Sequence, residues 1–356
     1  MSGRGSRNGP GRNPCHSLKC LILKPSSLGD VVQALPVLRL IKAHSPASEV
    51  YWWIQSGLAP LLANDPDLAG LFLFERHPAR ALPSFWRTIR RARQMQFDWV
   101  IDLQGLSRSA LFGWLANGQT FIGLDNPTEG RREGAQAGYD VLAPASPPGT
   151  PASQRYLAVL PLLGVPIHSH FTWLPPQPAV AARVRERWQP TPGRWITLVP
   201  GARWENKRWP VEYFAETVRR LAAEQADLHF AILGGTGDRH LAAAIHPACP
   251  ERCLDLTGQT SLPEMVEWIR LSDLVLCNDT GPMHVAAALG RPLVAIFGPT
   301  NPARTGPHGQ LEHVLQAREL PCVPCLKRRC HYIEPLACMK MITPDQVCAR
   351  VRMRLG

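Results

Sequence analysis

Apolar runs of strand length alternate along this chain with stretches in which apolar residues recur every three or four positions. Such alternation is typical of parallel strands connected by helices. The clearest unit is a buried strand at 18–24 followed by a helix at 31–44, with Val31, Leu35 and Leu38 along its apolar face. We therefore predict an α/β protein.

The alternation is interrupted by a short, proline-bracketed helix within residues 174–193 and then starts again. A chain of 356 residues also exceeds the size at which one hydrophobic core usually stops growing. We predict a disordered basic tail at 1–17, a first domain at 18–173, a linker at 174–193 and a second domain at 194–356. Further predicted strands lie at 49–55, 97–105, 195–200, 229–235, 273–278 and 292–298, a further helix at 84–95, and a long loop at 125–153.

The chain is basic, with a formal net charge of +11. Residues 1–24 carry five basic groups and residues 76–93 carry six arginines, without an acid in either segment. This charge would attract nucleic acid, a phosphorylated sugar or an anionic membrane surface, and a solvated basic face explains either cluster equally well. The sequence lacks both the apolar segment of an export signal and a run of about 18 apolar residues, so any membrane contact would be peripheral.

The segment SSLGDVV at 26–32 places Asp30 where a buried strand gives way to a helix. In open parallel sheets this is the edge at which ligands usually bind. Asp30 would then face a crevice, either as a helix N-cap or as a catalytic carboxylate, and the two roles are compatible.

A basic cluster follows the first predicted strand of the second domain. The segment VPGARWENKRWP brings Arg203, Lys207 and Arg208 into one turn, which suits charge-assisted hydrogen bonds to phosphate oxygens. Lys207 is the candidate to stabilise a departing diphosphate. A solvated basic loop is the alternative.

The segment DTGPMHVAAALG begins a helix near Pro282, with Asp279, Thr280 and Gly281 just before it. Free backbone N–H groups at a helix start bind anions readily. His284 by itself is more often a packed or capping histidine than a ligand. The glycine-rich turn at 232–238 lacks a complete dinucleotide fingerprint, although it could border a nucleotide.

These segments, together with VIDLQGLSRSA and CMKMITPDQV, resemble in their order glycosyltransferase family 9, the ADP-heptose:lipopolysaccharide heptosyltransferases. The resemblance covers nearly the whole chain after residue 17. It implies the GT-B fold, in which two Rossmann-like domains with parallel sheets face a central cleft. It also implies an inverting transfer from ADP-heptose to the lipid A-linked lipopolysaccharide core, without a metal in catalysis, by a cytoplasmic enzyme peripheral to the inner membrane.

The resemblance implies that Asp30 is the general base for the acceptor hydroxyl and that Lys207 stabilises the leaving diphosphate. An acidic, phosphate-bearing acceptor would suit the arginine-rich helix. The implied donor-binding residues are Arg203, Gly234, Gly235, Asp238, Asp279, Thr280, Gly281, Pro282, Met283 and His284. The predicted acceptor-binding residues are Ser27, Gly29, Arg87, Arg90 and Arg91.

Four cysteines, Cys322, Cys325, Cys330 and Cys338, cluster near the end of the chain. Their spacing suits a structural zinc or iron in a tetrahedral thiolate shell, although it is not that of a standard zinc finger. Free or disulfide-linked thiols are a comparable alternative.

Two other functions stay open at this point. A GT-B enzyme could transfer another sugar or epimerise a nucleotide sugar. A basic nucleic-acid-binding protein would interleave aromatic and basic residues on one face, whereas the tryptophans here are scattered among predicted strands and helices. We therefore predict no nucleic-acid partner.

Overall fold

The computed structural model describes residues 17–75, 78–127, 130 and 133–356, with the side chains of 78–82 left out. The predicted tail at 1–17 lies outside the described residues, apart from Ser17.

The first half of the chain forms a parallel sheet of six strands. Their order across the sheet is third, second, first, fourth, fifth, sixth. Because this order reverses beside the first strand, the carboxyl end of that strand opens at the point where open α/β sheets bind ligands. The strands are β1 (Lys19–Leu23), β2 (Glu49–Gln55), β3 (Gly70–Phe74), β4 (Trp99–Asp102), β5 (Thr120–Leu124) and β6 (Val141–Ala143), and the helices are α1 (Leu28–His44), α2 (Pro78–Met95), α3 (Ser107–Ala116) and α4 (Ala152–Leu157).

The second half repeats this topology. The helix α5 (Pro178–Trp188) leads into strands β7 (Arg194–Val199), β8 (Leu228–Ile232), β9 (Cys253–Asp255), β10 (Leu274–Asn278), β11 (Leu293–Phe297) and β12 (Val314–Gln316). Their order is β12-β11-β10-β7-β8-β9. The predicted α/β class with two parallel sheets is thereby confirmed. The remaining helices are α6 (Val211–Glu224), α7 (Arg239–Ile245), α8 (Leu262–Leu271), α9 (Gly281–Ala288), α10 (Pro302–Thr305), α11 (Ala337–Lys340) and α12 (Pro344–Leu355).

The two faces of the first sheet are covered differently. Successive residues of a strand point to opposite faces, so Cys20 and Ile22 belong to a core shared with α1, whereas Leu21 and Leu23 belong to a core shared with α2 and α3. The core that contains α1 continues into α8 and α9 of the second half. One face of the first sheet therefore meets the second half, and the other faces outward.

Helix α1 is buried nearly all round. Every residue from 31 to 41 is buried, because the helix packs on the sheet and also against α4 and α9. Val31, Leu35 and Leu38, predicted to form its apolar face, are buried, but the residues between them are buried as well. The helix also begins at Leu28, three residues earlier than predicted.

Two other boundaries differ from the prediction. The helix expected at 84–95 begins at Pro78 and contains Pro83. The region expected to be a long loop at 125–153 includes β6, whose Val141 and Leu142 are exposed. A three-residue edge strand with exposed side chains leaves no apolar periodicity to read.

Candidate active site

Asp30 lies in the first turn of α1. Its Oδ2 accepts hydrogen bonds from the Ser27 backbone N–H at 2.9 Å and from the Ser27 hydroxyl at 2.7 Å. The N-cap is Ser27, so Asp30 is not the cap. Because both bonds end on Oδ2, the second oxygen, Oδ1, can take a proton from a substrate.

The neighbours of Asp30 keep it ionised. Burial raises its pKa, but the positive charge of Lys24, the hydrogen bonds from Ser27 and the influence of His284 together lower the pKa below its usual value. Asp30 therefore carries a negative charge throughout the physiological pH range.

Lys24 was missed as a site residue. It is only 2% exposed, its Nζ donates a hydrogen bond to the Leu103 carbonyl at 2.9 Å, and it lies 4.4 Å from the centroid of the Tyr156 ring. A lysine at the end of a buried strand was the available signal, because lysines are almost never fully buried without a partner.

Lys207 lies between β7 and α6, in a cradle built from the carboxyl ends of three strands. Its Nζ lies 2.6 Å from Oδ2 of Asp279, which follows β10. The hydroxyl of Thr300, after β11, donates to the same oxygen at 2.5 Å, and the Trp204 ring centroid lies 4.7 Å from the Lys207 Nζ. Asp279 therefore anchors the lysine, and the N-cap of α9 is Thr280. Trp204 and Thr300 were not predicted.

The starts of α1 and α9 are in close contact. A Cβ added to Gly29 would lie 2.3 Å from Cδ2 of His284, and one added to Gly281 would lie 2.7 Å from Cδ2 of Leu28. Only glycine, which has no Cβ, permits this approach. The two helix starts that carry the predicted catalytic and donor-binding motifs therefore meet.

His284 stands where these two motifs meet. Burial lowers its pKa, while Asp279 and Asp30 raise it and Lys207 lowers it further, so that the net pKa lies below the usual value. The imidazole is therefore neutral at neutral pH. The ring lies against Gly29, which is next to Asp30, and its helix follows Asp279, which binds Lys207. His284 therefore lies between the segment of the predicted base and that of the predicted cation.

The other predicted donor residues divide into two groups. Oδ2 of Asp238 accepts a hydrogen bond from the Gly235 N–H at 2.9 Å, and a Cβ on Gly201, at the start of the Lys207 loop, would lie 2.6 Å from Oδ1 of Asp238. This glycine turn thus borders the cradle. In contrast, the Met283 side chain is fully buried in the core, so only its backbone can contact a donor.

The predicted acceptor-binding residues do not all lie near Asp30. Ser27 and Gly29 lie beside Asp30, but Arg87, Arg90 and Arg91 are exposed on α2, which packs on the opposite face of the first sheet. The structure does not bring these arginines to the carboxylate.

The four cysteines of the predicted metal site line one cavity of about 120 Å³. All four are free thiols, and burial, followed by the influence of the other three, raises the pKa of Cys338 to about 11. In the described part of the chain, however, no group of three or more His, Cys, Asp or Glu side chains is arranged to hold a metal ion. The structure therefore does not support the zinc or iron site, because these thiols share a cavity without forming a ligand set.

The cysteine segment contacts the lysine cradle instead. Asn206, next to Lys207, donates from Nδ2 to the Lys327 carbonyl at 2.8 Å. The Arg328 guanidinium lies 5.5 Å from the centroid of Trp204, the ring that also faces Lys207. The segment at 322–338 therefore supports the loop that carries the predicted cation.

Two parallel six-stranded sheets, whose ligand-binding edges meet at α1 and α9, form the GT-B fold. Solved structures confirm this fold. The chain superposes on Escherichia coli ADP-heptose lipopolysaccharide heptosyltransferase II with a TM-score of 0.76 and 22% identity, covering 95% of this chain and 98% of that one. For E. coli heptosyltransferase WaaC with ADP, the TM-score is 0.74 at 22% identity, with 95% and 100% covered.

Sequence comparison identifies the family within this class. The family model described as glycosyltransferase family 9 (heptosyltransferase) matches residues 85–334. A curated relative, lipopolysaccharide heptosyltransferase 1 of Pseudomonas aeruginosa, is 29% identical over 88% of each chain. Lipooligosaccharide heptosyltransferase 2 of Haemophilus influenzae is 27% identical over 82% of this chain and 86% of its own. The chain belongs to glycosyltransferase family 9 and is a glycosyltransferase, as its motifs predicted.

Proposed function

We propose that this enzyme transfers a heptose from ADP-heptose to the lipid A-linked inner core of lipopolysaccharide, with inversion at the anomeric carbon. Its curated relatives are named lipopolysaccharide or lipooligosaccharide heptosyltransferases. The match to this chain covers 88% and 86% of their length. The observation that carries the proposal is the contact between the start of α1, which holds Asp30, and the start of α9, which follows the Asp279 that binds Lys207.

In this proposal Asp30 is the general base. The acceptor hydroxyl oxygen attacks the anomeric carbon of the donor, and its proton passes to Oδ1 of Asp30. The bond between that carbon and the diphosphate breaks on the opposite side, which inverts the configuration. Because the carboxylate already accepts two hydrogen bonds on Oδ2, its orientation is set before the substrate binds, and a positioned base contributes about 10²- to 10⁴-fold to a rate.

The leaving ADP needs positive charge where its own negative charge develops. Lys207 provides it, exchanging its bond to Asp279 for bonds to phosphate oxygens. At the start of α9 the Thr280 hydroxyl and the N–H groups of Gly281, Met283 and His284 add hydrogen-bond donors, whereas Pro282 has no N–H. Arg203, exposed on the same loop, extends the cradle. The glycine turn with Asp238 contacts the nucleoside. No metal is required for catalysis in this arrangement.

A donor screen tests the proposal. Purified enzyme with an inner-core acceptor is offered ADP-heptose and other nucleotide sugars, and transfer is followed by mass spectrometry. We expect turnover with ADP-heptose, loss of transfer with retained ADP binding in Asp30→Asn, and weakening of both in Lys207→Ala. The matched control is Asp345→Asn, an exposed acid on α12. Full transfer by Asp30→Asn would show that Asp30 is not the general base.

The same screen separates the alternative function, transfer or epimerisation of another nucleotide sugar. If a different donor is turned over and Asp30 is still required, Asp30 stays the general base and the proposed donor, ADP-heptose, is wrong. For location, we propose the cytoplasmic side of the inner membrane, where both ADP-sugar and lipid-linked acceptor are accessible. The net charge of +11 suits the anionic surface there.

A further inference from the structure

Helices α2 and α3 form an outward face that the catalytic site does not use. They lie side by side on the first sheet, with the ring centroids of Phe85 and Phe112 5.9 Å apart. Inward residues such as Ile89 and Ala92 are buried. Neither helix contains an acidic residue. The charged side chains of these two helices are therefore all arginines, which are positive.

Large apolar side chains lie exposed among these charges. Trp86 is 59% exposed, Leu111 51% and Trp114 52%. Leu111 and Trp114 are one helical turn apart and so share one side of α3. We call the following set the basic-aromatic face: Trp86, Arg87, Arg90, Arg93, Arg108, Leu111 and Trp114, all exposed.

This composition matches the surface of an anionic bilayer. Arginines gain from the phosphates of acidic lipids, while tryptophan rings settle at the boundary between headgroups and acyl chains. Leu111 would gain from acyl chains and nothing from a nucleic acid or a sugar. Tryptophan, leucine and arginine on the outer side of a helix pair suit a contact at the bilayer interface. In the described part of the chain no helix is long and apolar enough to cross a membrane.

We propose that the basic-aromatic face docks the enzyme on an anionic lipid bilayer. The tryptophans and Leu111 enter the interface, and the arginines bind lipid phosphates around them. This reassigns Arg87 and Arg90 from the acceptor sugar to the membrane that carries the acceptor. Because α2 and α1 lie on opposite faces of one sheet, docking leaves the contact between α1 and α9 open to substrates. The inference deepens the proposed function, since it names the surface by which a lipid-linked acceptor is approached.

Vesicle co-sedimentation with the purified full-length chain tests the inference without any turnover. The probes are vesicles of phosphatidylcholine alone and of phosphatidylcholine mixed with phosphatidylglycerol. We expect binding to the mixed vesicles that weakens with salt. Arg90→Gln with Arg93→Gln should weaken it about 25-fold, at about fivefold per arginine. Trp86→Ser with Trp114→Ser should weaken it roughly tenfold.

Matched controls keep the test specific. Arg183→Gln with Arg185→Gln removes two exposed charges from α5, and Ile333→Ser with Met353→Ser removes exposed apolar side chains, 98% and 69% exposed, from the second half. Both controls should bind vesicles like the unmodified chain. Equal losses in controls and face variants, or equal binding to neutral and anionic vesicles, would overturn the inference.

A second measurement separates the membrane from the acceptor. With a delipidated, water-soluble core oligosaccharide as acceptor, the face variants should transfer sugar at the unmodified rate, and with vesicle-bound acceptor they should be slower. Loss with the soluble acceptor would show that the arginines bind the sugar, contrary to the inference. Since vesicle binding needs neither donor nor chemistry, failure of the proposed function would leave this result interpretable.

Discussion

Helices α1 and α2 both follow strands of the same sheet, yet they have opposite surroundings. All residues of α1 from 31 to 41 are buried, and its start contacts α9 of the second half. On α2, Trp86 and four arginines are exposed. The difference lies in what covers each helix. Where the second half covers the sheet, the charged groups beside the contact are paired, as Lys207 is with Asp279, and can do chemistry. On the uncovered side like charges accumulate and can bind a surface.

The largest effect should come from removing the cation of the covered side. Lys207→Met is expected to lower kcat about 10²- to 10³-fold, the usual cost of losing one preorganised group that stabilises developing charge. Arg90→Gln, which removes one positive charge from the uncovered side, should leave kcat with a soluble acceptor unchanged. Steady-state kinetics of both variants measure this contrast. Comparable losses would mean that the two sides are not functionally distinct.

The second-largest effect should come from disturbing the contact between α1 and α9. Gly29→Ala places a methyl group 2.3 Å from the His284 ring, and such overpacking costs about 1 to 3 kcal/mol. Urea unfolding should show this loss together with reduced transfer. Gly138→Ala is the control, because a Cβ there meets nothing within 4 Å. If Gly29→Ala is as stable and active as Gly138→Ala, the helices do not need this approach.

A smaller effect is expected in the pH dependence. Lys24 lowers the pKa of Asp30, so the stabilisation from ionised Asp30 is present above the unfolded-state pKa and is lost as the pH falls through the lowered folded-state pKa. Lys24→Met should therefore move the acid limb of the kcat/KM profile to higher pH. Lys42→Met, near the other end of α1, should not move it. An unshifted limb in Lys24→Met would exclude Lys24 as a residue that positions and tunes the base.

Treatment that removes metal ions should have no effect on transfer. Lys207 and the N–H groups of α9 supply the positive charge for the leaving group, so EDTA treatment should leave the transfer rate unchanged. Elemental analysis of anaerobically purified protein should find no stoichiometric zinc or iron, because the four thiols form no ligand set in the described structure. One bound metal per chain would contradict this arrangement of the cysteines.

Sequence patterns predicted part of this molecule well and part poorly. Strand β2 was predicted with its observed bounds and β1 to within a residue at each end, because long buried strands are continuous apolar runs. The strands that were not predicted are β3, β5, β6, β9 and β12. The last three have only three residues each, too few for a periodicity. The side-chain spacing of the cysteines suggested a metal, but ligand geometry depends on where the sulfurs lie in space, which spacing does not determine.

By itself, the sequence determined the alternation of strands and helices, the two similar halves and the motifs that carry Asp30 and Lys207. These are local properties, because apolar period and turn residues act over a few neighbouring positions. Only the tertiary structure decided that Lys24 tunes the carboxylate, that Asp279 holds Lys207, and that the arginines of α2 face away from the site. Those relations join residues far apart in the chain, and they arise from which faces of the sheets are covered.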